Sequence, residues 1–260
     1  MNSLSKPSSQ VESREQGNGS THKFDLSGLS VMLAMPAHRN LHPATVTSML
    51  RTQELMFRHG VGITIDVEHG GPYVECVRDR LAQVFLDGKW NRLAWCDSDM
   101  AWHAESFLRL LALSTELEVV GAAYVIKRDP PSFATITGIE EGSPIRQNKF
   151  GCLTTDALKF GLGFTIVHRT VIEQLAAKSG KMTFGLEPGA AVPDIFHNRD
   201  RERPAEGFPG EDGNFFNDCR ALGYDVWLDP EIQLGHIGPK IYTAALKDHL
   251  RVGEQDTGAS

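Results

Sequence analysis

Short apolar runs alternate with longer amphipathic segments through the first half of the chain, and this alternation is the strongest constraint on the fold. The apolar runs, which predict buried strands, occupy residues 29–35, 61–67, 92–96 and 119–123. Helical spacing characterises the intervening segments 44–59, 72–86 and 104–114. Strands that alternate with helices form a mostly parallel sheet covered on both faces. The sequence therefore predicts an α/β, Rossmann-like fold.

The second half of the chain is less regular. Its predicted elements are a strand at 163–167, helices at 169–178 and 214–222, and a last strand at 225–228. A long polar segment at 187–209 holds several prolines and charges, and we predict that it is a mobile lid over an acceptor. We expect one domain spanning residues 25–252, a disordered tail at 1–24 and a flexible tail at 253–260.

Composition excludes several classes of protein. The net charge of −7 over 260 residues means that the average surface does not attract nucleic acids or other polyanions. No apolar run approaches 18 residues, and the amino terminus lacks the apolar core of a signal peptide. The four cysteines lack the spacing of a metal site. We expect a cytoplasmic enzyme without a membrane segment, whose oligomeric state the sequence leaves open.

Two carboxylates, Asp97 and Asp99, directly follow the strand at 92–96. Ligands of α/β sheets bind beyond the carboxyl ends of the strands. Mg²⁺ and Mn²⁺ are typically held there by one or two carboxylates together with substrate phosphates. Because alternate residues of an extended segment face the same way, both carboxylates are predicted to face one ligand. The alternative is an ordinary solvated turn after a strand.

Two further segments contain residues that suit catalysis or metal binding at the same site as Asp97 and Asp99. Glu211 and Asp212 follow Gly210 at the start of a predicted helix, where Asp212 could accept a proton from an acceptor hydroxyl. Acidic residues in a first helical turn also simply complement the helix dipole. His236 lies between Gly235 and an Ile-Gly pair, and a neutral imidazole is an acceptable Mn²⁺ ligand.

These residues, taken in order, resemble the motifs of a known enzyme family. They are Asp97-Ser98-Asp99, the glycine loop Gly161-Leu162-Gly163-Phe164, then Gly210-Glu211-Asp212, and finally His236. The set is similar to the DxD, glycine-rich acceptor loop, xED and carboxyl-terminal His of GT-A type glycosyltransferases, including small stand-alone bacterial and phage members. The resemblance extends from about residue 29 to residue 242.

The resemblance implies a role for each matching position. Asp99 and His236 would bind Mn²⁺ or Mg²⁺, with Asp97 touching the metal or the donor ribose. Asp212 would be the catalytic base, with Glu211 as a hydrogen-bond acceptor for substrate. The remaining implied contacts to the nucleotide-sugar come from Pro36, His38, Asp66, Arg78, Ser98, Gly161, Gly163 and Lys240. Among these, Lys240 would neutralise the leaving diphosphate.

The implied activity is transfer of a sugar from a nucleotide-sugar, most simply a UDP-sugar, to an acceptor hydroxyl with inversion. The acceptor would be a glycan or a hydroxymethylated base of phage DNA. Candidate contacts for DNA are Arg199, Arg201, Arg203 and Lys240, although acidic residues alternate with the three arginines. A nucleotidyltransferase is a second possibility, but residues 34–39 lack the glycine-rich loop of that class. A third is a non-catalytic module that binds a sugar nucleotide or glycan.

Overall fold

The computed structural model describes residues 10–14, 21–38, 40–70, 73–133, 144–197 and 210–252. The helices within these ranges are α1 (Pro43–Arg58), α2 (Val74–Asp87), α3 (Ala104–Leu113), α4 (Arg169–Lys178), α5 (Gly210–Ala221) and α6 (Leu246–Val252). The strands are β1 (Gln10–Arg14), β2 (Thr21–Asp25), β3 (Ser30–Ala37), β4 (Gly62–His69), β5 (Arg92–Cys96), β6 (Met100–Ala101), β7 (Val119–Gly121), β8 (Arg146–Gln147), β9 (Leu153–Thr154), β10 (Phe164–His168), β11 (Gly180–Met182), β12 (Val192–Asp194), β13 (Val226–Leu228), β14 (Leu234–Ile237) and β15 (Ile241–Ala244).

A central sheet of eight strands has the order β4-β3-β5-β10-β7-β13-β9-β8. Six of these strands run in one direction, because β10 is antiparallel to both of its neighbours and β9 is antiparallel to β13 and β8. The predicted α/β fold with a mostly parallel sheet flanked by helices is therefore confirmed. The strand predicted at 163–167 is one of the two that reverse direction.

Two hydrophobic clusters cover the two faces of this sheet. Along β3, Met32 and Ala34 belong to the cluster that contains α2, α4 and α5 residues, whereas Val31 and Leu33 belong to the cluster beneath α1 and α3. Side chains of a strand point alternately to opposite faces, so a strand covered on both sides is apolar throughout. This is why residues 29–35 read as a continuous apolar run.

The helix boundaries follow local chemistry. Pro43 is the first residue of α1, and the His42 imidazole accepts a hydrogen bond from the Ala44 amide at 3.1 Å. Beyond the end of α1, Gly60 adopts a φ of 70°, a left-handed conformation that costs glycine little. The predicted helix at 214–222 begins earlier, at Gly210, so that Glu211 and Asp212 lie within its first turn.

The structure differs from the predicted layout at both ends. Residues 10–14 and 21–25 form the antiparallel pair β1–β2 where a disordered tail was predicted, and Phe24 is buried against Phe150. The regular pattern also continues beyond residue 228, because β14 pairs with β15 and β6 in a separate three-stranded sheet. This three-stranded sheet places His236 opposite Met100, next to the two aspartates.

Part of the predicted layout falls on residues that the structure does not cover. The predicted tail at 253–260 lies outside the described residues, as does the 198–209 portion of the predicted lid. The earlier portion of that segment contains β12, which pairs with β11. In the described ranges we find no helix whose length and hydropathy suit a membrane span.

Candidate active site

A cavity of about 430 Å³ opens at the carboxyl ends of β3 and β5, beside the first turns of α2 and α5. It is lined by Pro36, Ala37, His38, Val74, Glu75, Val77, Arg78, Asp97, Ser98, Asp99, Glu211 and Asp212. Eight of the thirteen predicted site residues are in this set. The fold thus brings the two aspartates near residue 98 together with the acidic pair that begins α5, more than a hundred residues later.

Asp97, Ser98 and Asp99 form a tight turn, and the extended conformation assumed for them is wrong. The Met100 amide donates to the Asp97 carbonyl at 3.1 Å, which closes the turn between β5 and β6. As a result the two carboxylates have different partners. Asp97 contacts Arg78 and Tyr124, whereas Asp99 contacts Lys127 and His236.

The buried Arg78 side chain contacts three carboxylates of the site. Its Nη2 donates to Asp97 Oδ1 at 3.1 Å, and its Nη1 donates to Asp212 Oδ1 and lies 3.5 Å from Glu211 Oε1. Only 2% of the residue is exposed. Burial by itself would lower the pKa of Arg78, but the three carboxylates raise it above its usual value. The buried guanidinium therefore stays charged and holds α5 against the end of β5.

The glycine loop packs directly on these carboxylates. A Cβ at Gly163 would lie 2.8 Å from Asp97 Cγ, and a Cβ at Gly161 would lie 2.6 Å from Tyr124 Cζ. Between the two glycines, the Leu162 amide donates to Asp212 Oδ2 at 3.2 Å. The loop needs glycine because its backbone approaches Tyr124 at Gly161 and Asp97 at Gly163, whereas the family resemblance implied an approach to the sugar.

Asp99 and His236 form a second group at the edge of the cavity. His236 Nε2 lies 3.6 Å from Asp99 Oδ2, and Lys127 Nζ donates to the same oxygen. His236 Nδ1 donates to the Val125 carbonyl at 2.8 Å, which fixes the orientation of the ring. Although burial works against it, the neighbouring His236 and Lys127 lower the pKa of Asp99 to about 2.

The carboxylates of the cavity outnumber its cations. Asp97, Asp99, Glu211 and Asp212 are joined by Glu75 on α2. In the described part of the chain, the basic groups paired with them are Arg78, Lys127 and the His236 imidazole. Burial, together with the nearby Asp212 charge, raises the pKa of Asp97 and of Glu211 even though Arg78 opposes the shift. Excess negative charge that is partly buried favours a bound cation.

The donor chemistry at Asp99 and His236 fits a divalent metal, although no group of three or more His, Cys, Asp or Glu side chains in the described part of the chain is arranged to hold one. Since the Val125 carbonyl can only accept, the neutral ring carries its proton on Nδ1 and turns the Nε2 lone pair toward the Asp99 carboxylate. Two acceptors face each other stably when a proton or a metal cation lies between them. This pair therefore supplies two of the ligands that Mn²⁺ or Mg²⁺ would need, the others coming from substrate and water.

Two predicted residues lie elsewhere. Asp66 is on the edge strand β4, opposite Ala34, and is not among the described residues that line the cavity. Lys240 pairs with Asp129 at 2.6 Å, with both side chains more than half exposed. Lys127 is instead the lysine that reaches the site.

Three residues of the site were missed in the sequence: Glu75, Tyr124 and Lys127. Tyr124 donates to Asp97 Oδ2 at 3.3 Å, and its ring packs edge-on against His236 at 5.1 Å. Tyr124 and Lys127 follow the carboxyl end of β7, so the rule that pointed to Asp97 applied to them as well. Glu75 lies in the first turn of α2 and carried no signal beyond its charge.

The sequence matches no protein-family model and no curated protein. The fold, however, is similar to solved structures. A glycosyltransferase involved in the glycosylation of the major capsid of PBCV-1 has 10% sequence identity and a TM-score of 0.33, covering 60% of this chain and 72% of its own. GalNAc-T7 with UDP, GalNAc and Mn²⁺ has 13% identity and a TM-score of 0.40, and the match covers 93% of this chain but only 50% of GalNAc-T7.

A third similar structure is 4-diphosphocytidyl-2C-methyl-D-erythritol synthase from Anaerococcus prevotii DSM 20548. It has 10% identity and a TM-score of 0.32, covering 60% of this chain and 81% of its own. Likeness at this level does not establish a shared activity, since one α/β architecture hosts many chemistries. The function has to be argued from the cavity.

Proposed function

We propose that this protein is a metal-dependent glycosyltransferase of the GT-A type, which moves a sugar from a nucleotide-sugar to an acceptor hydroxyl. One observation carries the proposal: Asp97 and Asp99 share a single cavity with Glu211 and Asp212, with His236 at its edge. A metal-dependent, inverting transfer of a sugar from a nucleotide uses a cation site for the diphosphate and a carboxylate for the acceptor proton. The two acidic groups supply these two requirements side by side.

The donor would lie along the carboxyl ends of β3 and β5. Pro36 and His38 border the cavity there and suit the nucleobase, and Ser98 lies in the turn between the two aspartates. Asp99 and His236 would hold Mn²⁺ or Mg²⁺. A cation bound there neutralises charge that grows on the diphosphate as the sugar departs. A UDP-sugar is the donor that we propose.

Asp212 is the proposed base. Its carboxylate accepts from Arg78 and from the Leu162 amide, and these two bonds fix its orientation while leaving lone pairs for an acceptor hydroxyl. The hydroxyl proton would pass to Asp212 as the acceptor oxygen bonds to the anomeric carbon. The bond from that carbon to the diphosphate would break, with its electrons leaving on the nucleotide. Such direct displacement inverts the anomeric centre, and Glu211 would accept a hydrogen bond from the substrate.

The charge around the cavity favours a glycan acceptor over a modified DNA base. Among the described residues, five carboxylates face three basic groups (Arg78, Lys127 and the His236 imidazole), and this excess would repel the phosphates of a nucleic acid near the reacting centre. The arginines considered as DNA contacts, Arg199, Arg201 and Arg203, lie outside the described residues. Sugar hydroxyls, in contrast, donate readily to carboxylates.

A donor screen tests the proposal. The purified protein is incubated with Mn²⁺ and each common UDP-, GDP- and dTDP-sugar, and nucleotide release is measured with and without EDTA. We expect release from one donor that EDTA abolishes. Pyrophosphate release from a nucleoside triphosphate and a sugar phosphate would instead indicate a nucleotidyltransferase. Metal-dependent donor binding without any turnover would indicate a binding module.

A further inference from the structure

Lys127 takes the position on Asp99 that a cation would occupy. Its Nζ donates to Asp99 Oδ2, the same oxygen that faces His236 Nε2 at 3.6 Å. A lysine ammonium and a divalent cation both need the lone pairs of this oxygen. The two cannot occupy the site side by side without strong like-charge repulsion.

The path of the Lys127 side chain is built into the fold. A Cβ at Gly238 would lie 3.2 Å from Lys127 Cδ and 3.5 Å from Lys127 Cβ, so the stem of the lysine passes directly over this glycine. The Ile237 amide donates to the Asp99 carbonyl at 2.7 Å and ties the same strand to the aspartate turn. The glycine after His236 thus permits a contact of Lys127 that a larger residue would disturb.

The ion pair is able to open. The side chains of Lys127 and Asp99 are 34% and 41% exposed, respectively, so the ammonium has direct access to water. Pairs this exposed contribute little to stability because solvent screens them and both side chains lose freedom. The pair therefore restrains Asp99 weakly and can be replaced by a better ligand for its oxygens.

We propose that Lys127 is a built-in competitor for the metal of this site, released from Asp99 when a divalent cation binds. The proposal rests on the metal dependence stated in the proposed function. Release frees the ammonium to pair with the diphosphate of a donor that is bound to the cation. Lys127 would thereby take the role that the sequence suggested for Lys240. It would also make metal and donor binding mutually dependent, because the donor offers the released lysine a new partner.

The experiment measures Mn²⁺ affinity by isothermal titration calorimetry on the full chain without donor. Lys127→Met keeps the stem and removes the charge, and Lys240→Met is the matched control because that ammonium pairs with Asp129. We expect Lys127→Met to bind Mn²⁺ about two- to fivefold more tightly, the range that an exposed ion pair allows, and Lys240→Met to bind as the wild type does. Equal or weaker binding by Lys127→Met overturns the proposal while leaving metal dependence intact.

A second measurement follows the lysine itself. The ¹³Cε–¹H signal of Lys127, assigned by its loss in Lys127→Met, is recorded as diamagnetic Mg²⁺ is added. We expect it to move toward the position of free lysine as the ion pair opens, and an unmoved signal at saturation overturns the competitor role. Absence of Mn²⁺ binding in all three proteins, in the presence of UDP as well as without it, would overturn the metal-dependent function and this inference together, which separates that failure from the first.

Discussion

Gly163 lies so close to Asp97 that a Cβ added to the glycine would be 2.8 Å from the carboxylate carbon. The contact joins β10 to the turn after β5, and the Asp97 amide donates to the Gly163 carbonyl at 3.1 Å on the same edge. An antiparallel strand placed between two parallel ones thus sets the position of the acidic turn. The glycine is required by packing within the site.

Replacing Gly163 with alanine should displace Asp97 and disturb the cavity. We expect destabilisation of about 1–3 kcal/mol from overpacking, and a loss of donor turnover larger than the stability change explains. Gly62→Ala is the control, because a Cβ there meets nothing closer than 4.0 Å. Urea unfolding and nucleotide release measure the two effects. A Gly163→Ala protein that matches the Gly62→Ala control would contradict the role assigned to this contact.

Loss of Arg78 should destabilise the fold. Arg78→Met removes the buried cation and leaves three carboxylates close together, which should cost about 3 kcal/mol. This is the lower end of the range for buried pairs, since Asp97 and Asp212 are each 26% exposed. The cost should shrink as the pH falls, because protonation relieves the repulsion among the acids. Unfolding free energies at pH 7 and pH 5 test this, and a pH-independent difference would contradict it.

Asp212→Asn should abolish transfer while donor binding stays within a few-fold of the wild type. The single amide oxygen can still accept from one of the two donors, Arg78 or the Leu162 amide, but the side chain cannot take a proton, so turnover should fall about 10²- to 10⁴-fold. Asp218→Asn is the matched control, because Asp218 lies on the same helix and pairs with His197. Unchanged turnover in Asp212→Asn would show that Asp212 is not the base. Glu211→Gln would then be the variant to measure, because Glu211 is the other carboxylate in the same helical turn.

Asp99→Ala should lose metal-dependent binding of the nucleotide. At a ligand concentration a hundred times its Kd, a bound nucleotide stabilises a protein by about 2.7 kcal/mol. We therefore expect UDP with Mn²⁺ to raise the Tm of the wild type and to leave that of Asp99→Ala unchanged. Asp156→Ala, at a side chain 98% exposed, is the control. A Tm shift of wild-type size in Asp99→Ala would contradict the assignment of Asp99 as a metal ligand.

His168 should make stability depend on pH at a place remote from the cavity. Burial lowers the pKa of His168, although the ring contacts the Ser114 carbonyl. The unfolded chain then binds more protons than the folded one, so stability is lost as the pH falls below about 6.5 toward the folded pKa. His168→Gln should show a shallower loss of unfolding free energy between pH 7 and pH 5. Parallel curves for the two proteins would contradict the shift.

Much of the fold could be predicted because the relevant signals are local. The strand at β3 is apolar on both faces, Pro43 begins α1, and Gly60 and Gly223 follow the ends of α1 and α5 with positive φ. Such features depend on a few neighbouring residues, so they are visible in a sequence. The direction of β10 and the sheet formed by β14, β15 and β6 were missed. Pairing between strands that are distant in the chain leaves little signal in the sequence of either strand.

Local spacing was sufficient to place Asp97 and Asp99 at the end of a buried strand and Glu211 and Asp212 at the start of a helix. The ends of a strand or helix can be read from where its regular spacing of apolar side chains, two residues in a strand and about 3.6 in a helix, begins and stops. The partners of those carboxylates were settled by packing. Arg78 meets Asp212 across 134 positions of the chain, and Lys127 contacts Asp99, whereas Lys240, the lysine expected at the diphosphate, pairs with Asp129. Charge pairing acts over a few ångströms in space, and only the folded chain determines which side chains come that close.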